Sequence, residues 1–205
     1  MSPRPIRILL AEDQSMVREA LAALLGLEPD IEVLVQVARG DEVVEAARGH
    51  DVNVALLDIE MPGLTGIEAA AALRSELPGI RIVILTTFGR PGYLRGAMEA
   101  GASAFLVKDA PAAQLAAAVR KVLEGERVID PTLAAAALAE GANPLTDRER
   151  EVLRAAESGA TNAELAQRLH LSQGTVRNYL STAIQKLAAR NRAEAVRTAR
   201  EKGWL

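Results

Sequence analysis

Apolar positions follow two different rules along this chain. Up to about residue 124, near-continuous apolar runs alternate with segments of helical period. Ile6-Arg7-Ile8-Leu9-Leu10-Ala11 is a run of the first kind, as a strand buried on both faces requires. The next segment, 15–27, carries Val17, Leu21, Leu24 and Leu25 on one stripe, the signature of a helix with one buried side. The alternation continues with strand 31–37, helix 41–48, strand 53–58, helix 65–77, strand 80–86, helix 91–100, strand 104–107 and helix 111–124. Five strand–helix pairs with short turns predict a parallel sheet covered on both faces. Right-handed crossovers leave few topologies, and the flavodoxin-like strand order 2-1-3-4-5 is the natural one.

Beyond residue 124 the pattern changes. Residues 125–142 contain Gly125, Pro131 and Gly141, which mark a linker, and the Ala-rich stretch Thr132 to Glu140 suits one helical turn or two. From Thr146 the period is helical throughout. Thr146-Asp147-Arg148-Glu149 and Thr161-Asn162-Ala163-Glu164 are capping boxes, Asn191-Arg192-Ala193-Glu194 is a weaker one, and Ser172 is a further N-cap. They predict helices over about 147–158, 162–169, 173–188 and 192–202. The expected architecture is therefore an α/β domain over 1–124, a partly helical linker over 125–142 and an all-α four-helix domain over 143–205.

Charge supports the division. The net charge of −3 is the sum of −7 over residues 1–142 and +4 over residues 143–205. A basic second module suits a polyanion. Cysteine is absent and there are two histidines, which excludes disulfides, thiolate metal sites and His-rich metal sites. No apolar run approaches the ~18 residues of a membrane span. The start, Met1-Ser2-Pro3-Arg4-Pro5, leads into a strand with no secretory h-region. A cytoplasmic protein without direct membrane insertion is expected.

The chemistry-bearing positions gather at strand ends. Asp58 closes the third apolar run, before Ile59-Glu60-Met61-Pro62-Gly63 turns the chain. Glu12 and Asp13 close the first, Thr86 the fourth and Lys108 the fifth. In the 2-1-3-4-5 order the first and third strands are neighbours, so three carboxylates converge. Like charges that close need a cation, and carboxylates with a main-chain carbonyl and waters suit Mg²⁺. The expected ligands are Asp13, Asp58 and the main-chain carbonyl of Glu60, with Glu12 acting through water. Lys108 and Thr86 would hold the oxygens of a phosphoryl group on Asp58. The bland alternatives are solvated loop acids for the carboxylates, a surface lysine for Lys108 and an ordinary strand residue for Thr86.

In the all-α part, Val176, Leu180, Ala183, Ile184 and Leu187 share one helix face, while Arg177, Asn178, Ser181 and Gln185 share the other. With the preceding helix and a tight Leu171-Ser172 turn this is a helix-turn-helix pattern. Arg177, Asn178 and Ser181 are the candidate base contacts, and Thr175, Tyr179 and Lys186 the candidate phosphate contacts.

Glu12-Asp13, Asp58-Ile59-Glu60-Met61-Pro62-Gly63, Thr86-Thr87 and Lys108 resemble the receiver domain of two-component response regulators. The resemblance implies that a sensor histidine kinase phosphorylates Asp58, that Thr86 and Lys108 bind the phosphoryl group, and that Phe105 repositions. Asp109 departs from the family, where many members have a proline, often after a cis bond. Leu145-Thr146-Asp147-Arg148-Glu149, Thr161-Asn162-Ala163-Glu164-Leu165-Ala166, Gly174-Thr175-Val176-Arg177-Asn178-Tyr179 and Asn191-Arg192-Ala193-Glu194-Ala195 are similar to the LuxR-type DNA-binding domain of NarL/FixJ regulators. Thr86-Thr87-Phe88-Gly89-Arg90-Pro91-Gly92-Tyr93, Ala142-Asn143-Pro144-Leu145-Thr146 and Glu201-Lys202-Gly203-Trp204 resemble a subfamily that answers a membrane-fluidity kinase and activates a fatty-acid desaturase gene. Phosphorylation is then expected to promote homodimerisation and binding to promoter DNA, with helices 15–27 and 111–124 as the dimer face. Other classes are an aspartyl-phosphate type phosphatase and a phosphorylation-independent DNA-binding protein. The first needs an aspartate two residues after the nucleophile, where this chain has Glu60. The second is disfavoured by the full set Glu12, Asp13, Asp58, Thr86 and Lys108. No catalytic residues are expected: the chain reads as a regulator, not an enzyme.

Overall fold

The computed structural model describes residues 5–87, 90–140 and 143–205. Met1–Arg4, Phe88 and Gly89 of the motif after the fourth strand, and Gly141 and Ala142 of the linker and its motif, lie outside them. The chain forms two compact units, residues up to 87 with 94–135, and residues 136–205 with 90–93.

The first unit alternates strand and helix: β1 Ile6–Ala11, α1 Ser15–Leu25, β2 Ile31–Val37, α2 Val43–Gly49, β3 Val54–Asp58, α3 Gly66–Glu76, β4 Arg81–Thr86, α4 Pro91–Glu99, β5 Ala104–Val107 and α5 Ala112–Leu123. A two-residue strand, β6 Val128–Ile129, and the helix α6 Pro131–Glu140 follow. All strand pairs are parallel, in the order β2-β1-β3-β4-β5-β6. The five-stranded order expected from the sequence is present, with a sixth strand on its edge. Residues 128–140 are thus more ordered than their composition suggests. Val128 N donates to the Ser103 carbonyl, which starts the β6 pairing. Asp130 Oδ1 accepts from the backbone N–H groups of Thr132 and Leu133, capping α6 with Pro131 in its first turn. Among the described residues every peptide bond is trans, including those around Asp109.

Side-chain alternation sends each strand's residues to two cores. Ile8, Leu10, Val54, Leu56, Val83 and Leu85 pack with Leu25, Leu115, Val119 and Val122 of α1 and α5. Leu9, Leu57, Ile84 and Phe105, also fully or nearly fully buried, occupy the alternate positions. With both faces covered, polar groups are left to the strand ends.

The turn after β3 folds back onto the strand. Gly66 N donates to the Ile59 carbonyl at 2.9 Å, and a Cβ on Gly66 would lie 1.9 Å from the Asp58 carbonyl oxygen. Thr65 then caps α3 through a capping box with Glu68. Gly63 takes φ +80°, against the Asp41 carboxylate.

The second unit contains α7 Asp147–Ala156, α8 Asn162–Arg168, α9 Gln173–Lys186 and α10 Arg192–Glu201 around one apolar core that includes Val152, Leu153, Leu165, Val176, Leu180 and Trp204. The capping boxes at Thr146 and Thr161 form with both reciprocal bonds. At Asn191 only the side-chain half is present, because Glu194 bonds the backbone of Arg190 instead. Between α8 and α9, His170 takes φ +53° and Leu171 N reaches the Ala166 carbonyl. That left-handed residue turns the chain within the few residues a helix-turn-helix allows.

Gly66→Ala is expected to destabilise the chain by about 2 kcal/mol or more, because the new methyl meets strand backbone. Gly49→Ala, with nothing within 4 Å of its Cβ position at the end of α2, is expected to be neutral or stabilising by about 0.5 kcal/mol. Urea unfolding of both variants checks this, and equal midpoints would refute the close approach at Gly66.

Candidate functional site

β1 and β3 lie side by side with Ala11 opposite Leu57, so the next residues, Glu12 and Asp58, emerge together at the C-terminal edge of the sheet. Thr86 ends β4, and its carbonyl accepts from Lys108 N at 2.8 Å, which ties the end of β5 to the same edge. Glu12, Asp58 and Thr86 are buried, whereas Asp13 is exposed.

Lys108 Nζ lies 2.5 Å from Glu12 Oε2 and 2.9 Å from Asp58 Oδ1, with both carboxylates almost wholly out of solvent. Burial pushes the Asp58 carboxyl up to about 6 from an ordinary 3.8. Lys108 opposes the shift, and the nearby Glu12 charge adds to it. Burial also acts against the Lys108 charge, but the two carboxylates outweigh it and raise the ammonium above its ordinary value. At neutral pH Asp58 is therefore an ionised, poorly solvated carboxylate beside one cation.

The carboxylate oxygens offered by Glu12, Asp13 and Asp58 all lie within 4.8 Å of one another. Adjacent ligands of an octahedral Mg²⁺ are roughly 3 Å apart, so small adjustments bring this set to one ion. Three carboxylates against one ammonium also leave a double negative charge when all are ionised. The donor set thus fits a hard divalent cation. Glu12 stands in the cluster itself, while its side chain is also held by Lys108 and by Gln14 N, which donates to Oε1 at 3.3 Å. Glu60 is exposed just beyond β3. Phe105 is fully buried.

Two supports were not foreseen from the sequence. Arg18 Nη1 donates to the Glu12 carbonyl at 2.6 Å. Gly40 N donates to the Pro62 carbonyl at 3.0 Å, so the β2–α2 turn clasps the loop that follows Asp58. A basic residue one turn into α1 was the available signal for the first. Nothing local signals the second, which joins turns more than 20 residues apart.

On α9, Val176, Leu180 and Ala183 are buried and Arg177, Asn178, Ser181 and Gln185 are exposed, the two faces that the spacing predicts. The Arg177 side chain forms no hydrogen bond or ion pair with any described residue. Other arginines of this unit differ: Arg148 pairs with Glu151, Arg150 with Asp147 and Arg190 with Glu194. Lys186, expected at phosphate, instead donates to the buried Glu149 carboxylate at 2.8 Å. The Thr175 hydroxyl is 2.8 Å from that of Ser172 in the α9 cap, and Tyr179 packs partly against the core.

Residues 8–120 match the response regulator receiver domain, and residues 143–199 match the luxR family of bacterial regulatory proteins. The transcriptional regulatory protein DesR of Bacillus subtilis is 46% identical over 200 residues, covering 98% of this chain and 99% of that protein. The response regulator RamR of Streptomyces coelicolor is 43% identical over 201 residues, covering 97% and 98%. The crystal structure of the response regulator ChrA of a heme-sensing two-component system matches with a TM-score of 0.59 at 33% identity, covering 99% of this chain and all of that one. Among the described residues no helix is long and apolar enough to cross a membrane.

A carboxyl raised in the folded state binds its proton more tightly there than in the unfolded chain. The resulting penalty is absent below pH 4, grows as pH rises and is complete above about pH 6. Asp58→Asn removes it and is expected to stabilise the chain by about 1–3 kcal/mol at pH 7.5, with no gain at pH 3.5. Denaturant unfolding across this range checks the sign; parallel curves for the two proteins would contradict it.

Proposed function

Since the chain belongs to the two-component response regulators that carry a luxR-family DNA-binding domain, we propose that Asp58 takes a phosphoryl group from a sensor histidine kinase and so controls promoter binding in the cytoplasm. The observation that carries this reading is the buried Asp58 carboxylate with Lys108 Nζ at 2.9 Å and two further carboxylates beside it. In this reading residues 1–124 are the receiver, 125–142 the linker and 143–205 the DNA-binding domain.

An Asp58 oxygen attacks the phosphorus of a phosphohistidine; the P–O bond forms as the P–N bond breaks, and the imidazole leaves. Mg²⁺, when bound, neutralises charge on the transferring oxygens. Asp13, Asp58 and the Glu60 main-chain carbonyl would hold the ion, with Glu12 acting through water. Lys108 turns from the carboxylates toward the new phosphoryl oxygens, Thr86 donates its hydroxyl to them, and Phe105 turns inward. The phosphoryl group need only bias two packings by a few kcal/mol.

The homodimer face is assigned to α1 and α5. Met16 and Leu27 are 82% and 79% exposed and Leu24 is 44% exposed, while Arg120 of α5 is tied to Glu28 and Asp30 after α1. In the DNA-binding domain Arg177, Asn178 and Ser181 read base edges, and Thr175, Tyr179 and Lys186 lie toward phosphates. Of that second set Lys186 reaches a phosphate only by giving up Glu149. A desaturase gene as target follows from the subfamily resemblance, and selection of bound DNA from a random pool tests it.

With beryllium trifluoride and Mg²⁺, wild type is expected to dimerise more tightly and Asp58→Ala to stay unchanged, as read by analytical ultracentrifugation. Equal association of the two would sink the phosphorylation switch. Arg177→Ala is expected to weaken specific DNA binding by about 1–3 kcal/mol and relax sequence preference at one position per half-site. An unchanged footprint and affinity would remove Arg177 from the reading face.

A further inference from the structure

The turn between β1 and α1 carries Asp13, the most exposed member of the carboxylate cluster. Its backbone is anchored by Glu12 N to the Val37 carbonyl at 3.1 Å, and Gln14 N bonds the Glu12 side chain. Gln14, the residue before α1, provides no side-chain cap. One side chain reaches back to the turn from within the helix: Arg18, whose Nη1 donates to the Glu12 carbonyl at 2.6 Å and which is itself half-buried. That carbonyl belongs to the peptide joining Glu12 to Asp13. Fixing its direction fixes the plane from which the Asp13 side chain departs.

We propose that Arg18 is a positioning residue for divalent-cation binding, gripping the Glu12–Asp13 peptide so that Asp13 faces Glu12 and Asp58. A charge-assisted bond to a partly buried carbonyl is strong enough for this task. The rival effect has the opposite sign. As a positive charge near the cluster, Arg18 would repel the ion, and its removal would then tighten binding. Geometry outweighs charge here because the guanidinium acts through the peptide it holds rather than on the ion, and groups that orient metal ligands matter more to affinity than their distance suggests.

The inference rests on the proposed cation role of the carboxylates, and the test separates the two. Mg²⁺ alone is titrated into the full chain, without phosphoryl donor, and followed through the backbone amide resonances of residues 12–14 and 58. Wild type, Arg18→Ala and Arg18→Lys are compared, and each is then labelled with acetyl phosphate at saturating Mg²⁺. Arg18→Ala is expected to raise the half-saturating Mg²⁺ concentration about ten-fold, Arg18→Lys to recover part of that loss, and the labelling rate at saturation to stay within about two-fold of wild type. Unchanged or tighter Mg²⁺ binding in Arg18→Ala overturns the positioning role and leaves the cation site standing. A saturated labelling rate that falls in step with thermal stability overturns it too, since that is the mark of a merely structural contact. Wild type that binds no Mg²⁺ overturns both the inference and the reading beneath it.

Discussion

A single ammonium shared between two buried carboxylates sets the conditions for everything at the sheet edge. Moving Glu12, Asp58 and Lys108 out of water costs several kcal/mol per charge, and the 2.5 and 2.9 Å contacts offset this only in part. The raised Asp58 carboxyl is the residue of that imbalance. The cluster is therefore short of positive charge, which suits a hard divalent cation. The stability lost at the edge is borne by the two apolar layers beneath it, where Leu9, Leu10, Leu56, Leu57 and Phe105 have no exposed surface.

The surroundings keep that arrangement fixed. Gly66 allows the loop after β3 to return onto the Asp58 carbonyl, Gly40 allows the β2–α2 turn to press on Leu64, and Arg18 holds the Glu12 carbonyl. These contacts come from three turns and one helix, none of which carries a carboxylate of the cluster except the β1–α1 turn. Their shared effect is to leave the site few backbone freedoms.

The second unit handles charge differently. Arg148 and Arg150 are matched by acids on their own helix, Arg190 by Glu194 of the helix that follows it, and Arg192 by the Ala160 carbonyl. The Arg177 side chain has no ion-pair or hydrogen-bond partner among the described residues and lies on an exposed helix face beside Asn178 and Ser181. Local pairing quiets nonspecific attraction to a polyanion, while an unpaired guanidinium stays available for bidentate recognition. The buried Glu149–Lys186 pair shows the converse: a cation that looked free along the sequence is spent on the capping box of α7.

Much of this was legible in the sequence, because it depends on periodicity and local chemistry. Apolar runs alternating with helical stripes fixed the strand–helix series, since a strand covered on both faces and a helix covered on one differ in period. Thr146, Thr161 and Ser172 marked helix starts because capping uses neighbours in the chain. The convergence of Glu12, Asp58, Thr86 and Lys108 followed once the strand order was inferred. Tertiary structure alone decided which charges found partners. The ties of Lys108 to Glu12, Arg18 to a main-chain carbonyl, Lys186 to Glu149 and Gly40 to Pro62 depend on distances across turns and helices. So did the pairing of β6 with β5, because a two-residue strand has too little period to announce itself and forms where a sheet edge already offers unpaired backbone groups.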